Sequence, residues 1–149
     1  MKIESDYKLK EALIMMGVTD MFNDSADLSG IAKSPHLKVS KALHRAIIES
    51  LSQTSTFSMF LVAETDFGLR MLRQGPVNES LVVSPLSVIF ALAMVQAGAK
   101  GSTKGQINKL IAEGTTDDDI VDYYSGLSQQ VLQASHGVQS RIANGFFLK

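Results

Sequence analysis

The stretch Leu81–Ala99, LVVSPLSVIFALAMVQAGA, constrains this chain more than any other. Ser84 is a good N-cap, because its hydroxyl can accept from a free N–H in the first helical turn. Pro85 suits the first helical position, where an N–H has no intrahelical partner to lose. The helix that follows, over 85–97, is apolar on nearly every side and is expected to be buried all round. Gly98 offers it a stop. A membrane span would need about 20 mostly apolar residues. Here Ser84, Pro85, Ser87 and Gln96 interrupt the run, so the reading is a core helix and no membrane partner.

The rest of the chain must supply what wraps that helix. With 149 residues, 45% of them hydrophobic and 19% charged, it is globular rather than disordered. A net charge of −1 leaves no basic excess to neutralise phosphates, so nucleic acid is not an expected partner. The absence of cysteine excludes a disulfide framework, a thiol nucleophile and a thiolate zinc site. The opening MKIESDYKLK is charged and has no apolar signal-peptide core, which favours the cytoplasm, with the extracellular space as the alternative. Asn23-Asp24-Ser25 and Asn78-Glu79-Ser80 match the glycosylation acceptor pattern but are silent without a secretory route.

Two patterned halves flank a Ser/Thr-rich linker at 50–58. In the first, Leu9, Leu13 and Met16 recur at helical spacing and Gly17 ends the helix. Asn23–Asp27 and Ser29-Gly30 are turn material. Residues 37–49, LKVSKALHRAIIE, read as a long strand, although Ala42–Arg45 would also tolerate a helix. In the second half, Leu61, Phe67, Leu69 and Leu72 mark a helix over 60–72, with Arg70 and Arg73 at its negative end. Gly75-Pro76 breaks the chain, and Leu81–Val83 reads as a short apolar strand. Thr103-Lys104-Gly105-Gln106 matches a capping box, and Ile107, Leu110 and Ile111 form the apolar face behind it. Asp117, Asp118 and Asp119 open a last helix with the stripe Ile120, Tyr124, Leu127 and Val131. Val138–Lys149 reads as a strand.

None of this carries a reaction. His36, His44 and His136 lack the spacing of a metal site, and no Gly-x-Ser-x-Gly elbow surrounds a serine. Gly98-Ala99-Lys100-Gly101-Ser102 has the lysine on the wrong side of the glycine for a phosphate loop, so it reads as a helix-to-helix turn. Helix-start electrostatics accounts for Asp117–Asp119. Lys100, Lys104 and Lys109 read as a solvated face, diluted by Glu113 and the aspartates. The residues alone describe a mixed helix-and-strand domain with no catalytic site, no cofactor and no metal.

A resemblance adds to this. Glu79–Ile107, ESLVVSPLSVIFALAMVQAGAKGSTKGQI, resembles the N-terminal region of a serpin, through Ser84-Pro85-Leu86-Ser87 and Ala97–Thr103. Ile142-Ala143-Asn144-Gly145-Phe146-Phe147 resembles the strand that follows in that family. The first half is similar to a late serpin segment, through Gly17-Val18-Thr19-Asp20, Phe22 and Ala26-Asp27-Leu28-Ser29-Gly30-Ile31. Val39–Glu49, VSKALHRAIIE, resembles the strand leading to the reactive loop.

The resemblance implies an α+β fold, a partial and rearranged serpin domain with helices and fragments of the family's sheets. It implies a late-serpin segment at 1–49, a linker at 50–58 and an N-terminal serpin segment at 59–149, inverted relative to the family order. His44, Ser84 and Ser87 match the family's shutter, a polar cluster beneath the sheet that opens. Family membership implies serine protease inhibition and no enzyme activity. The similarity stops at Glu49, however. No acidic hinge, small-residue run or scissile bond follows, and the central strands are missing, so a trapped serine protease is not expected. Met59 resembles the natural start of an intracellular-type member, which suggests two neighbouring genes joined. Unpaired strands would suit self-association or binding to a full-length serpin.

Overall fold

The computed structural model describes residues 8–32, 37–45, 58–78, 81–132 and 143–148. Among them are helices α1 (Leu9–Met15), α2 (Ser58–Arg73), α3 (Pro85–Gly98), α4 (Gly101–Ile111) and α5 (Asp117–Leu132). A 3₁₀ turn covers Asp20–Phe22, and strands β1 (Val39–Arg45) and β2 (Ala143–Leu148) form a two-stranded sheet. The architecture is therefore α+β, helix-rich with a small sheet.

Helix α3 is the axis of the core. Val88, Ile89 and Leu92 are fully buried, and α2, α4, α5 and β2 all pack on it. Burial is not complete around its circumference, because Met94 is 63% exposed and Ala97 faces solvent too. No described element covers that line. Gly98 is the last residue of α3, and it does not take the left-handed conformation of a terminating glycine.

Helix α1 ends as its sequence predicts. Gly17 takes φ +97°, Val18 N–H donates to Leu13 O at 2.9 Å, and Gly17 N–H donates to Ile14 O at 3.0 Å. That is the paired closure of a Schellman motif, with Leu13 and Val18 both fully buried across it. Helix α2 buries a different face from the one the leucines mark. Phe60, Phe67 and Met71 are buried, whereas Leu61, Leu69 and Leu72 are 48%, 48% and 54% exposed. On that face Phe60 packs against Tyr123 and Tyr124 of α5.

The sheet pairs the two sequence halves directly. β1 and β2 run antiparallel with Ala42 opposite Phe146 and His44 opposite Asn144. The register shifts between Val39 and Lys41, and Ser40 Oγ donates to Phe147 O at 2.8 Å across that irregularity. Each strand thus spends one edge on the other. Residues 46–49 and 138–142 of the two long strand readings lie outside the described residues, as do His36, His136 and most of the linker. Leu81–Val83 is not a strand, since among the described residues the sheet consists of β1 and β2 alone and this segment pairs with neither. Leu81 and Val83 instead pack half-buried against the core.

Candidate functional site

Ser84 caps α3, as its place before Pro85 predicts. Ser84 has extended backbone angles, φ −113° and ψ 96°, and its Oγ accepts from Ser87 N–H at 3.3 Å. Ser87 is 2% exposed. α3 packs on β2, and β2 pairs with β1, which carries His44. The structure therefore brings Ser84 and Ser87 together and sets His44 on the strand beyond β2. The surroundings of the His44 side chain lie outside the described residues. Among the described residues no group of three or more His, Asp or Glu side chains could hold a metal ion.

A second constellation joins residues 19–31 to the end of α3 and the start of α4. Gln106 Oε1 accepts from the backbone N–H groups of Thr19 and Asp20, each at 2.8 Å. Thr103 Oγ1 accepts from Asp27 N–H at 2.9 Å. Lys100 N–H donates to Asp27 O at 2.8 Å, and Gly30 N–H donates to Gly98 O at 2.9 Å. Ser102 Oγ donates to Asp20 Oδ2 at 2.5 Å, which with Gln106 holds the Asp20 carboxyl below its usual range. Asp27 is also held low, chiefly by hydrogen bonds from Ser29. Two glycines make the close approach feasible. A Cβ on Gly30 would sit 2.6 Å from Gly98 O, and one on Gly98 would collide with the Ile31 side chain.

Thr103 and Gln106 therefore do not form the capping box their spacing suggests. Both satisfy free backbone N–H groups, as such residues do, but the groups belong to a segment far away in sequence. Helix α4 already begins at Gly101, with φ +54°, and Lys100 stands at the cap without a side-chain bond. That places Thr103 inside the first turn. The capping hydroxyl in this region belongs to Thr116, just ahead of α5. Thr116 Oγ1 accepts from Asp119 N–H at 3.2 Å and donates to Asp119 Oδ2 at 2.6 Å.

The acidic start of α5 does more than meet the helix dipole. Asp117 Oδ2 accepts from Lys104 Nζ at 2.6 Å. Its Oδ1 accepts from Gln96 Nε2 at 2.9 Å and Asn108 Nδ2 at 3.0 Å. Lys104, then Asn108, hold its carboxyl below the usual range. Gln96, fully buried on α3, is the interior anchor of this knot. Lys104 is thus engaged in the fold rather than in a basic face.

Between α2 and α5 lies an aromatic cluster around Glu64. Phe60 stacks on Tyr123 at 3.9 Å between centroids, and Tyr124 meets Phe60 edge-on at 5.6 Å. Tyr124 OH donates to Ile111 O at 2.9 Å, satisfying a carbonyl at the end of α4. Burial pushes the Glu64 carboxyl up, against a hydrogen bond from Tyr123. Burial and the Glu64 charge push the Tyr123 hydroxyl up to about 12. These groups hold helices together, and none is aimed into a cleft with a nucleophile. The chemistry on offer is recognition between segments.

The family comparison agrees with this picture. The family described as Serpin (serine protease inhibitor) matches residues 1–56 and 62–149. The chain therefore belongs to the serpin family, a family of inhibitors rather than of catalysts. Curated relatives match along about a third of the chain. Ovalbumin of Dromaius novaehollandiae is 49% identical over 49 residues, which is 33% of this chain and 13% of ovalbumin. Alpha-1-antiproteinase of Bos taurus is 52% identical over 48 residues, 32% of this chain and 12% of the relative. Serpin B4 of Homo sapiens is 50% identical over 48 residues, again 32% and 12%. The matched stretch is thus about an eighth of each relative's length. No solved structure matches the chain.

Proposed function

We propose that this chain is a serpin-family protein that does not trap a protease by loop insertion. The observation that carries the reading is the direct pairing of β1 with β2. β1 resembles the strand that leads into the reactive loop. Loop insertion requires neighbouring strands that part and admit a third. Among the described residues the sheet holds two strands, already paired with each other. The sequence supports the same reading, since Ser50–Ser58 follows Glu49 in place of an acidic hinge and small-residue run. In this reading residues 1–49 are the late segment, 50–58 the linker and 59–149 the early segment, in inverted order. His44, Ser84 and Ser87 keep the places of a shutter with nothing to release, and the chain works in the cytoplasm. The test is incubation with trypsin-, chymotrypsin- and elastase-type proteases, followed by denaturing electrophoresis. No SDS-stable complex is expected, and a covalent band overturns the reading. Whether the fused chain is made is tested by its junction peptide, Ala46–Arg70, in a tryptic digest of native tissue.

A second reading is favoured by the sheet itself. A two-stranded sheet leaves β1 and β2 one open edge each among the described residues, and Phe147 beside the edge is 51% exposed. Such edges recruit strands. In this reading the chain donates or accepts a strand from a full-length serpin. Size-exclusion chromatography of the chain mixed with an intact family member tests it, and independent elution at every ratio argues against it.

A further inference from the structure

Val77 is the most exposed large apolar residue among those described, at 96%. A lone valine at the surface needs no explanation by itself. The backbone around it gives it a meaning. Residues 74–78 follow α2 as a turn, and Gln74, Pro76 and Asn78 are exposed along with Val77. The base of the turn is tied down. Gln74 N–H donates to Met71 O and Gly75 N–H to Leu72 O, each at 3.1 Å. Leu81 packs so close to Gly75 that a Cβ there would collide with its side chain. Beyond Gly75 the ties end. Among the described residues Val77 and Asn78 make no hydrogen bond, and Pro76 has no N–H to give. A free stretch of backbone is thus held out on a fixed base, where loop tips are open to proteolysis.

A serine protease takes its substrate as an extended segment paired to the enzyme like an added strand, with one pocket setting specificity. A strand turns only alternate N–H groups to its partner. The Val77 N–H is available for that pairing, and Pro76, one residue back, loses nothing by lacking one. The Val77 side chain already stands outside the fold, and its short branched shape suits the small pocket of an elastase-type enzyme. The bonds that other protease types would choose nearby are worse placed. Arg73–Gln74 offers a basic residue, but Gln74 N–H is held by Arg70 O and Met71 O at the end of α2. Phe60 and Phe67, the nearest aromatic residues before the turn, are buried.

We propose that Val77–Asn78 is a cleavage site for an elastase-type serine protease, which this chain meets as a substrate. The enzyme's serine oxygen attacks the Val77 carbonyl carbon, and the bond to Asn78 N breaks as that nitrogen takes up the proton the serine lost. Water then hydrolyses the acyl ester, which restores the serine and leaves a carboxylate on Val77 and an amine on Asn78. The pairing of β1 with β2 and the bonds from Thr19 and Asp20 to Gln106 bridge the two sides of the cut. The site lies away from β1, so it needs neither loop insertion nor an open strand edge.

The test incubates the full-length chain with a trace of pancreatic elastase and reads the early products by mass spectrometry under denaturing conditions. A fragment beginning at Asn78 is expected among the first products. Val77→Asp places a charge where the small apolar pocket must close, and should slow that cut by about tenfold or more. Val77→Ala still fits the pocket and should keep it. Val77→Arg should hand the same bond to trypsin, which should then cut after residue 77 faster than after Arg73. The position of the cut is the readout, whether or not any enzyme complex survives denaturation. Absence of the fragment beginning at Asn78, its formation from Val77→Asp at the wild-type rate, or faster trypsin cleavage after Arg73 than after residue 77 in Val77→Arg overturns the proposal.

Discussion

The side-chain oxygen Oε1 of Gln106 accepts from the backbone N–H of Asp20 at 2.8 Å, across 86 residues of sequence. The same oxygen accepts from Thr19 N–H, so one amide closes the loop after α1 onto α4. This bond ties the first sequence segment to the second.

Gln106→Ala should therefore cost far more than a helix-surface substitution. It leaves two half-buried backbone donors unpaired, at about 1–3 kcal/mol for each group. A loss of about 2 kcal/mol or more is expected in urea denaturation, with the m-value watched for loss of two-state behaviour. Gln106→Glu keeps an acceptor in place and should retain most of the stability. A Gln106→Ala chain within experimental error of wild type would show that the two Gln106 bonds contribute nothing to stability.

How much of this was readable beforehand divides along physical lines. Local chemistry was legible. The Ser84-Pro85 start of α3 and the Gly17 stop of α1 depend on neighbours a few residues away, and both stand as read. The α+β class and family followed from the motifs around Ser84 and Asp27. What escaped was any role decided by distant partners. Thr103 and Gln106 have the spacing of a capping box, and only the placement of Asp20 and Asp27 shows that they serve a loop instead. Gly101 was the available signal, because a left-handed glycine there starts the helix too early for Thr103 to cap it. Helix α2 stands over the predicted span, with Phe67 inside, but its leucines lie outside. Leucine spacing marks a face, but aromatic packing between helices selected another one.

The glycine pair gives a steric test. Gly30→Ala places a methyl 2.6 Å from Gly98 O, which is backbone and cannot swing away. Overpacking of this kind costs about 1–3 kcal/mol. Gly105→Ala is the control, because nothing lies within 4 Å of its Cβ position. There the better helix propensity of alanine should stabilise α4 by up to about 1 kcal/mol. Thermal melts of the two variants should move in opposite directions, and equal shifts would contradict the close approach.

The Asp117 knot separates an ion pair from a buried amide. Lys104→Ala removes only the partly exposed salt bridge and should cost no more than about 1 kcal/mol. Asp117→Ala also strips the acceptor from Gln96 Nε2 on a fully buried residue, so a loss of about 1–3 kcal/mol is expected. The Lys104→Ala cost should shrink in high salt, whereas most of the Asp117→Ala cost should persist. Equal costs would mean that the Gln96 bond contributes nothing.

Glu64 sets the sign of a pH effect. Burial raises its carboxyl pKa above the ordinary value of 4.5 in the folded state, with Tyr123 donating a partly opposing hydrogen bond. Its Oε1 is buried without a hydrogen-bond partner among the described residues. A group whose folded pKa is raised favours folding while protonated. Its contribution is complete below the unfolded pKa and is lost as the pH rises through the folded one. Asp117 and Asp20 act in the opposite sense. Their carboxyls are held low, so their contribution is present above the ordinary value of 3.8 and lost below it. In the window just above 4.5, where the aspartates are already ionised, Glu64 should therefore make stability fall as the pH rises. Glu64→Gln keeps the shape and an acceptor for Tyr123 but cannot ionise. The variant should be more stable than wild type at neutral pH, and the difference should vanish or reverse in acid. Denaturation midpoints of both chains across that window decide it. Parallel profiles would mean that Glu64 is solvated well enough to ionise without cost.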